Sequence, residues 1–205
     1  MRTRSALAVI AACALTGLHP GAAAQSRPPA TRPTAPPAPQ PTAGGGPIVV
    51  LETAKGTIEV ELFPQEAPRT VEHILALVRR NFYNGLRFHR VVPNFVIQIG
   101  DPQTRDMTKR ADWGRGPRAG SGKPIGVAEF STKRTHLRGA VAMAHAGDAA
   151  KADSQFYIAL APQARLDGKY TVFGQVITGM EVAAKIAEDD VLKKMYVRAA
   201  AAKAK

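Results

Sequence analysis

Cysteine is nearly absent. The 205-residue chain holds one, Cys13, which excludes an internal disulfide framework and any multi-cysteine zinc site. After residue 26 there is no run of 18 uncharged apolar residues, so the bulk of the chain does not read as membrane-spanning. Acidic residues are outnumbered 16 to 28 by basic ones, giving a net charge of +12. The familiar catalytic signatures are missing too: there is no G-x-S-x-G elbow and no H-E-x-x-H helix. Gly122-Lys123 is followed by Pro124 rather than Ser or Thr, so a phosphate loop fails. Gly114-x-Gly116 lacks a third glycine, so dinucleotide binding is unsupported. His73, His89, His136 and His145 share no helical ligand spacing, and neither cofactor nor metal is expected. What remains is 45% apolar, enough for a real core.

The chain divides into zones by composition. Residues 1–24 read as a secretory signal. Arg2 and Arg4 precede an apolar run from Ala6 to Leu15, and Ala22-Ala23-Ala24 offers a cleavage site. This places the protein in the periplasm or outside the cell. The alternative is a lipid anchor on Cys13, since Ile10-Ala11-Ala12-Cys13 loosely fits an attachment box, although the apolar run continues past it. Cleavage after Ala24 would lower the charge to +10 and leave no thiol, which suits an oxidising compartment and gives no stable membrane insertion. Residues 25–47 hold eight of the sixteen prolines and read as an extended spacer ending in a flexible Gly44-Gly45-Gly46 joint. Residues 48–198 are the working domain, and 199–205 an Ala/Lys tail.

Strand signals dominate that domain. IVVLET (48–53) and TIEVELF (57–63) flank a glycine-containing turn and predict a hairpin. Pro68 suits the first turn of a helix. Val71, Ile74, Leu75 and Val78 then recur at helical spacing. Residues 101–125 read as a long loop with six basic and three acidic residues. Strand-like runs follow at 139–144, 154–160 and 170–177, then a second helix over 179–188 and a closing strand at 191–198. Many strands and few helices suggest a sandwich or barrel with helical lids.

The run FHRVVPNFVIQIGD (88–101) carries the chemistry. A three-residue loop at Pro93-Asn94-Phe95 would set Val92 opposite Val96, Arg90 opposite Gln98 and Phe88 opposite Gly100. Alternation then gives Arg90, Val96 and Gln98 one face, while His89, Val91, Ile97 and Ile99 point into the core. A guanidinium and an amide beside apolar groups can hold a ring and a carbonyl together. An amphipathic hairpin whose polar face merely meets water would show the same pattern.

This run resembles the signature of the cyclophilin-type peptidyl-prolyl cis-trans isomerases. APRTVEHI (67–74), FYNGLRFHR (82–90), GAVAMAHAG (139–147), SQFYIAL (154–160) and LDGKYTVFGQVITGMEV (166–182) extend the likeness in family order. The resemblance implies a mainly β fold, a closed eight-stranded antiparallel β-barrel capped by two α-helices, with the site on its outer face. It implies rotation about X-Pro bonds in peptides and unfolded client proteins, without metal or cofactor, assisting folding in the cell envelope. By matching position, Arg90 is the catalytic arginine, with Phe95 and Gln98 beside it. Phe95, Val96, Tyr157, Leu166 and Tyr170 would form the proline pocket. Gln98, Ala144, His145 and Gln155 would grip the peptide. Val96 replaces a frequent methionine, leaving a slightly shallower pocket. Arg165 stands where some members carry a tryptophan that contacts cyclosporin, so weak cyclosporin binding is expected. His89 is expected to be a buried, satisfied histidine and Ile99 a core residue. A monomer is expected. A peptide-binding holdase would keep the pocket without needing Arg90. Nucleic-acid binding, suggested by charge alone, lacks any motif interleaving aromatics with the cations.

Overall fold

The structure is a computed structural model that describes residues 45–116 and 120–198. The signal, the spacer through residue 44 and the 199–205 tail lie outside the described residues.

Eight strands form one antiparallel sheet. They are β1 (Ile48–Thr53), β2 (Gly56–Leu62), β3 (Arg90–Val92), β4 (Val96–Ile99), β5 (Ala140–Met143), β6 (Phe156–Ala159), β7 (Val172–Thr178) and β8 (Leu192–Val197). Their order across the sheet is β3-β4-β6-β5-β7-β2-β1-β8. The sequence-read strands all form, with ends shifted by at most two residues. The last residues before β1 are already docked: Leu62 N–H donates to the Pro47 carbonyl at 2.9 Å. A Cβ on Gly46 would fall 1.9 Å from the Leu62 oxygen, so only glycine fits there and the expected flexible joint is packed at its end.

Side-chain parity splits the apolar residues between the two faces of the sheet. Leu51, Ile58, Val60, Ile97, Ile99, Val141, Met143, Phe156, Ile158 and Phe173 belong to the main core. Their alternating neighbours Val96, Ala140, Ala142, Tyr157, Ala159 and Val172 form a second, smaller cluster with Phe63. Three of those seven are alanines, so the second face keeps a hollow instead of filling it.

Helix α1 (Pro68–Arg79) covers the main core with Thr70, Val71, Ile74, Leu75, Leu77 and Val78. Its N-cap, Ala67, has no capping side chain. Glu129 supplies the cap from a distant loop, accepting from the Arg69 and Thr70 amides at 3.0 and 2.9 Å.

Two expectations change. The second helix, α2, is a single turn (Met180–Ala183) rather than 179–188. The Lys185 and Ile186 amides reach back only three residues, and the Asp190 carboxylate takes the Ala187 amide, so the run tightens and ends. The sheet also curls without a closing ladder, an open half-barrel. Its edge strands β3, of three residues, and β8 share no register. One isolated bridge, Arg87↔Val191, lies between the segments leading into them. Hydrogen bonds flank it from Gly85 N–H to Leu192 O (2.8 Å) and from Phe88 N–H to Asp190 O (3.0 Å).

Candidate active site

The β3–β4 hairpin has the register its sequence predicts: Arg90↔Gln98, Val91↔Ile97, Val92↔Val96. Asn94 turns the loop at φ 58°, a left-handed conformation that asparagine tolerates well. The hairpin tip is fastened by Leu160 N–H to the Phe95 carbonyl at 2.8 Å and Gln163 Nε2 to the Asn94 carbonyl at 3.1 Å. Pairing then continues the row across the sheet: Gln98 faces Tyr157, and Tyr157 faces Ala142. Arg90, Gln98, Tyr157 and Ala142 therefore line up over four adjacent strands, on the face that keeps the hollow.

A cavity of about 860 Å³ lies there, and all ten residues nominated from sequence line it: Arg90, Phe95, Val96, Gln98, Ala144, His145, Gln155, Tyr157, Leu166 and Tyr170. Arg90 is exposed and sits 5.3 Å from the Phe95 ring centroid. Gln98 Nε2 donates to Gln155 Oε1 at 2.9 Å, which orients both amides. His145 is half-buried and packs on Tyr170 with ring centroids 4.4 Å apart; its Nε2 bonds the Lys169 carbonyl at 2.9 Å. Phe95, Ala144, Leu166 and Tyr170 all pack against the smaller apolar cluster, giving the hollow a greasy floor beside a charged rim.

Two parts of the site escape sequence reasoning. The first is His136, which is 1% exposed. Its Nδ1 meets Asp167 Oδ1 at 2.7 Å and its Nε2 meets the Tyr157 hydroxyl at 2.9 Å. With Nδ1–H given to the carboxylate, Nε2 accepts from the phenol, and the Tyr157 ring is held from behind. Burial pushes the Tyr157 hydroxyl well above its usual pKa, and Tyr170 and Asp167 add to that. Burial alone would raise the Asp167 carboxyl, but the His136 ring and amide outweigh it and hold it below the usual range.

The second is the loop wall of residues 114–116, 120–124 and 151–155. Asp153 anchors it, accepting from Ser121 Oγ (2.5 Å), Gly122 N–H (2.9 Å) and Lys123 N–H (3.2 Å) and pairing with His73 Nε2 (3.2 Å). Burial again works to raise this carboxyl, and these donors bring it below its ordinary value. Behind the wall, Gly100 at φ 112° brings the residue just past β4 against the segment leading into β6; a Cβ there would lie 2.2 Å from the Ser154 oxygen.

Ile99 is a core residue, as its parity indicates. His89 is buried in part, with the Gln155 side chain and the Arg87 backbone beside its ring nitrogens, although neither contact has ordinary hydrogen-bond geometry. Burial lowers its pKa, opposed in part by the nearby Asp101. Among the described residues, no three His, Cys, Asp or Glu side chains cluster as metal ligands would.

The site is thus a charged fork beside an apolar hollow on one face of a curled eight-stranded sheet. Residues 48–201 match the family model "Cyclophilin type peptidyl-prolyl cis-trans isomerase/CLD", and the chain belongs to this isomerase family. Peptidyl-prolyl cis-trans isomerase B of Bacillus subtilis is 41% identical over 140 residues, covering 68% of this chain and 90% of the relative. Peptidyl-prolyl cis-trans isomerase-like 3 of Homo sapiens is 40% identical over 149 residues, 72% of this chain and 86% of the relative. A solved cyclophilin-type isomerase of Cryptosporidium parvum superposes with a TM-score of 0.64 at 25% identity, covering 76% of this chain and 99% of that one. The same parasite protein has been solved in the presence of the dipeptide Ala-Pro.

Proposed function

We propose that this isomerase acts on X-Pro bonds of unfolded client proteins in the cell envelope, with Arg90 as its catalytic group. The carrying observation is the Arg90 guanidinium, 5.3 Å from the Phe95 ring on the rim of the apolar hollow.

Rotation about an X-Pro amide crosses a barrier of about 18–20 kcal/mol, set by amide resonance. No bond breaks, so neither nucleophile nor metal is required. In the twisted state the nitrogen becomes pyramidal and localises a lone pair. A fixed cationic donor aimed at that nitrogen or the neighbouring carbonyl favours the twist over either planar form. Arginine keeps its charge and its rigid fork, and an apolar pocket strengthens the interaction by excluding water. About 5–7 kcal/mol of such differential stabilisation corresponds to four to five decades of rate. In this reading Phe95, Val96, Tyr157, Leu166 and Tyr170 hold the prolyl ring. Gln98, Ala144, His145 and Gln155 hold the peptide chain.

The signal-like residues 1–24 support the envelope location. The hydrogen bonds of 85–88 with 189–192 support reading the curled sheet as a barrel sealed by a loop seam. The protein is proposed to work as a monomer and to bind cyclosporin weakly, because Arg165 replaces an aromatic contact. A titration in which cyclosporin inhibits stoichiometrically would contradict that last point.

The function is tested by measuring isomerisation of a proline tetrapeptide with wild-type protein and Arg90→Ala. The variant is expected to keep its thermal midpoint and lose at least a hundredfold in kcat/KM. Wild-type turnover in the variant would refute the role of Arg90.

A further inference from the structure

Phe95 carries two guanidinium groups. Arg90 stands 5.3 Å from its centroid and Arg165 stands 4.7 Å away. The two cations are thus no farther apart than those distances laid end to end. They arrive from unrelated parts of the chain, Arg90 from β3 and Arg165 from the 3-10 turn Ala164–Leu166. Neither pairs with a carboxylate among the described residues. The nearby acids are already engaged: Asp153 by four donors, and Asp167 by His136. Asp153 is also the only carboxylate among the described residues lining the cavity, against the cations Arg90, Arg115 and Lys151. A ring face stabilises a nearby cation modestly, but two cations at one ring repel each other. An anion beside the ring, within reach of both, would relieve that repulsion.

We propose that Arg165, acting beside Arg90, makes the mouth of the proline pocket selective for anionic peptides: those with a carboxylate side chain on the residue adjoining the proline. The inference deepens the isomerase reading and rests on it. Arg165 is exposed, so the preference is modest, about three- to fivefold in kcat/KM for Glu over Ala at the favoured position. It resides in KM, because the carboxylate meets Arg165 equally in the planar and twisted states.

The test uses the full chain, its Arg165→Gln and Arg165→Glu variants, and three peptides of equal length. One has Glu before proline, one has Glu after it, and one has Ala at both places. Turnover is read by exchange NMR and binding by calorimetry. In the wild type one of the two acidic arms should exceed the neutral peptide, the two arms telling which neighbour is read. That excess should vanish in Arg165→Gln, invert in Arg165→Glu, and fade at 1 M salt, where the Debye length is about 3 Å. An acidic-to-neutral ratio unchanged by Arg165→Gln, or no acidic preference in the wild type, overturns the proposal. If no peptide is turned over, the isomerase reading fails. The calorimetric ratio then decides anion selection by itself.

Discussion

Phe95 does two jobs: it packs on the smaller apolar cluster and offers its ring to Arg90. Truncation to alanine should therefore raise KM for a proline peptide tenfold or more. As a half-buried residue it should cost less in stability than a core phenylalanine, about 1–2 kcal/mol by urea unfolding. A loss of activity matched by loss of most of the folded state would mean that the ring is structural alone. The placement of Arg90, Val96 and Gln98 on one face was legible because a strand has a period of two and the hairpin loop sets the register. His136 was not legible. Its partners Asp167 and Tyr157 lie 31 and 21 residues away, and nothing local marks a histidine that will be enclosed. The loop wall pinned by Asp153 escaped for the same reason: two of its donors are the amides of Gly122 and Lys123, with no signature of their own, and Ser121 and His73 lie 32 and 80 residues away.

At the scale of elements, helix α1 shows how local and distant signals divide the work. Its start at Pro68 and its apolar stripe are written in the sequence, and the structure buries that stripe. Its cap is not local: Glu129 closes the first turn from 60 residues away. The Glu129 amide is held in turn by Thr171 Oγ1 at 3.1 Å. Glu129→Ala should cost about 1 kcal/mol, comparable to the loss of an ordinary N-cap, seen as a lower urea midpoint at unchanged slope. An unaltered midpoint would show that water replaces the carboxylate without loss. The second helix misleads because Val182 and Ile186, one turn apart, are both buried although the helix ends at Ala183. Burial of two residues at helical spacing requires only that the chain pass close to the core, not that it remain helical.

Across the whole molecule, acid should act in two stages. Burial lowers the His89 pKa from its ordinary 6.5, so the unfolded chain takes up that proton first. The associated stability is complete above about pH 6.5 and is lost as pH falls through the folded value. Asp153, Asp167 and Asp190 all titrate below their ordinary 3.8 when folded. Their contribution is present above that value and is lost below it. Thermal midpoints measured from pH 8 to 3 should hold above 7, decline below about 6.5, and fall again below about 4. His89→Gln should flatten only the upper decline. A midpoint constant from pH 7 to 3 would contradict both assignments.

The two ends of the domain also meet. Arg198 N–H donates to the Ile48 carbonyl at 2.8 Å, and β1 lies against β8 along its length. Entry and exit of the domain are therefore neighbours on one margin of the sheet, away from the candidate site. A few residues suffice to stitch them together, and fresh termini can be opened in an exposed turn such as Ala54-Lys55. A circularly permuted domain is therefore expected to refold and keep its isomerase activity, and loss of the folded state on permutation would show that the β1–β2 turn has to stay intact.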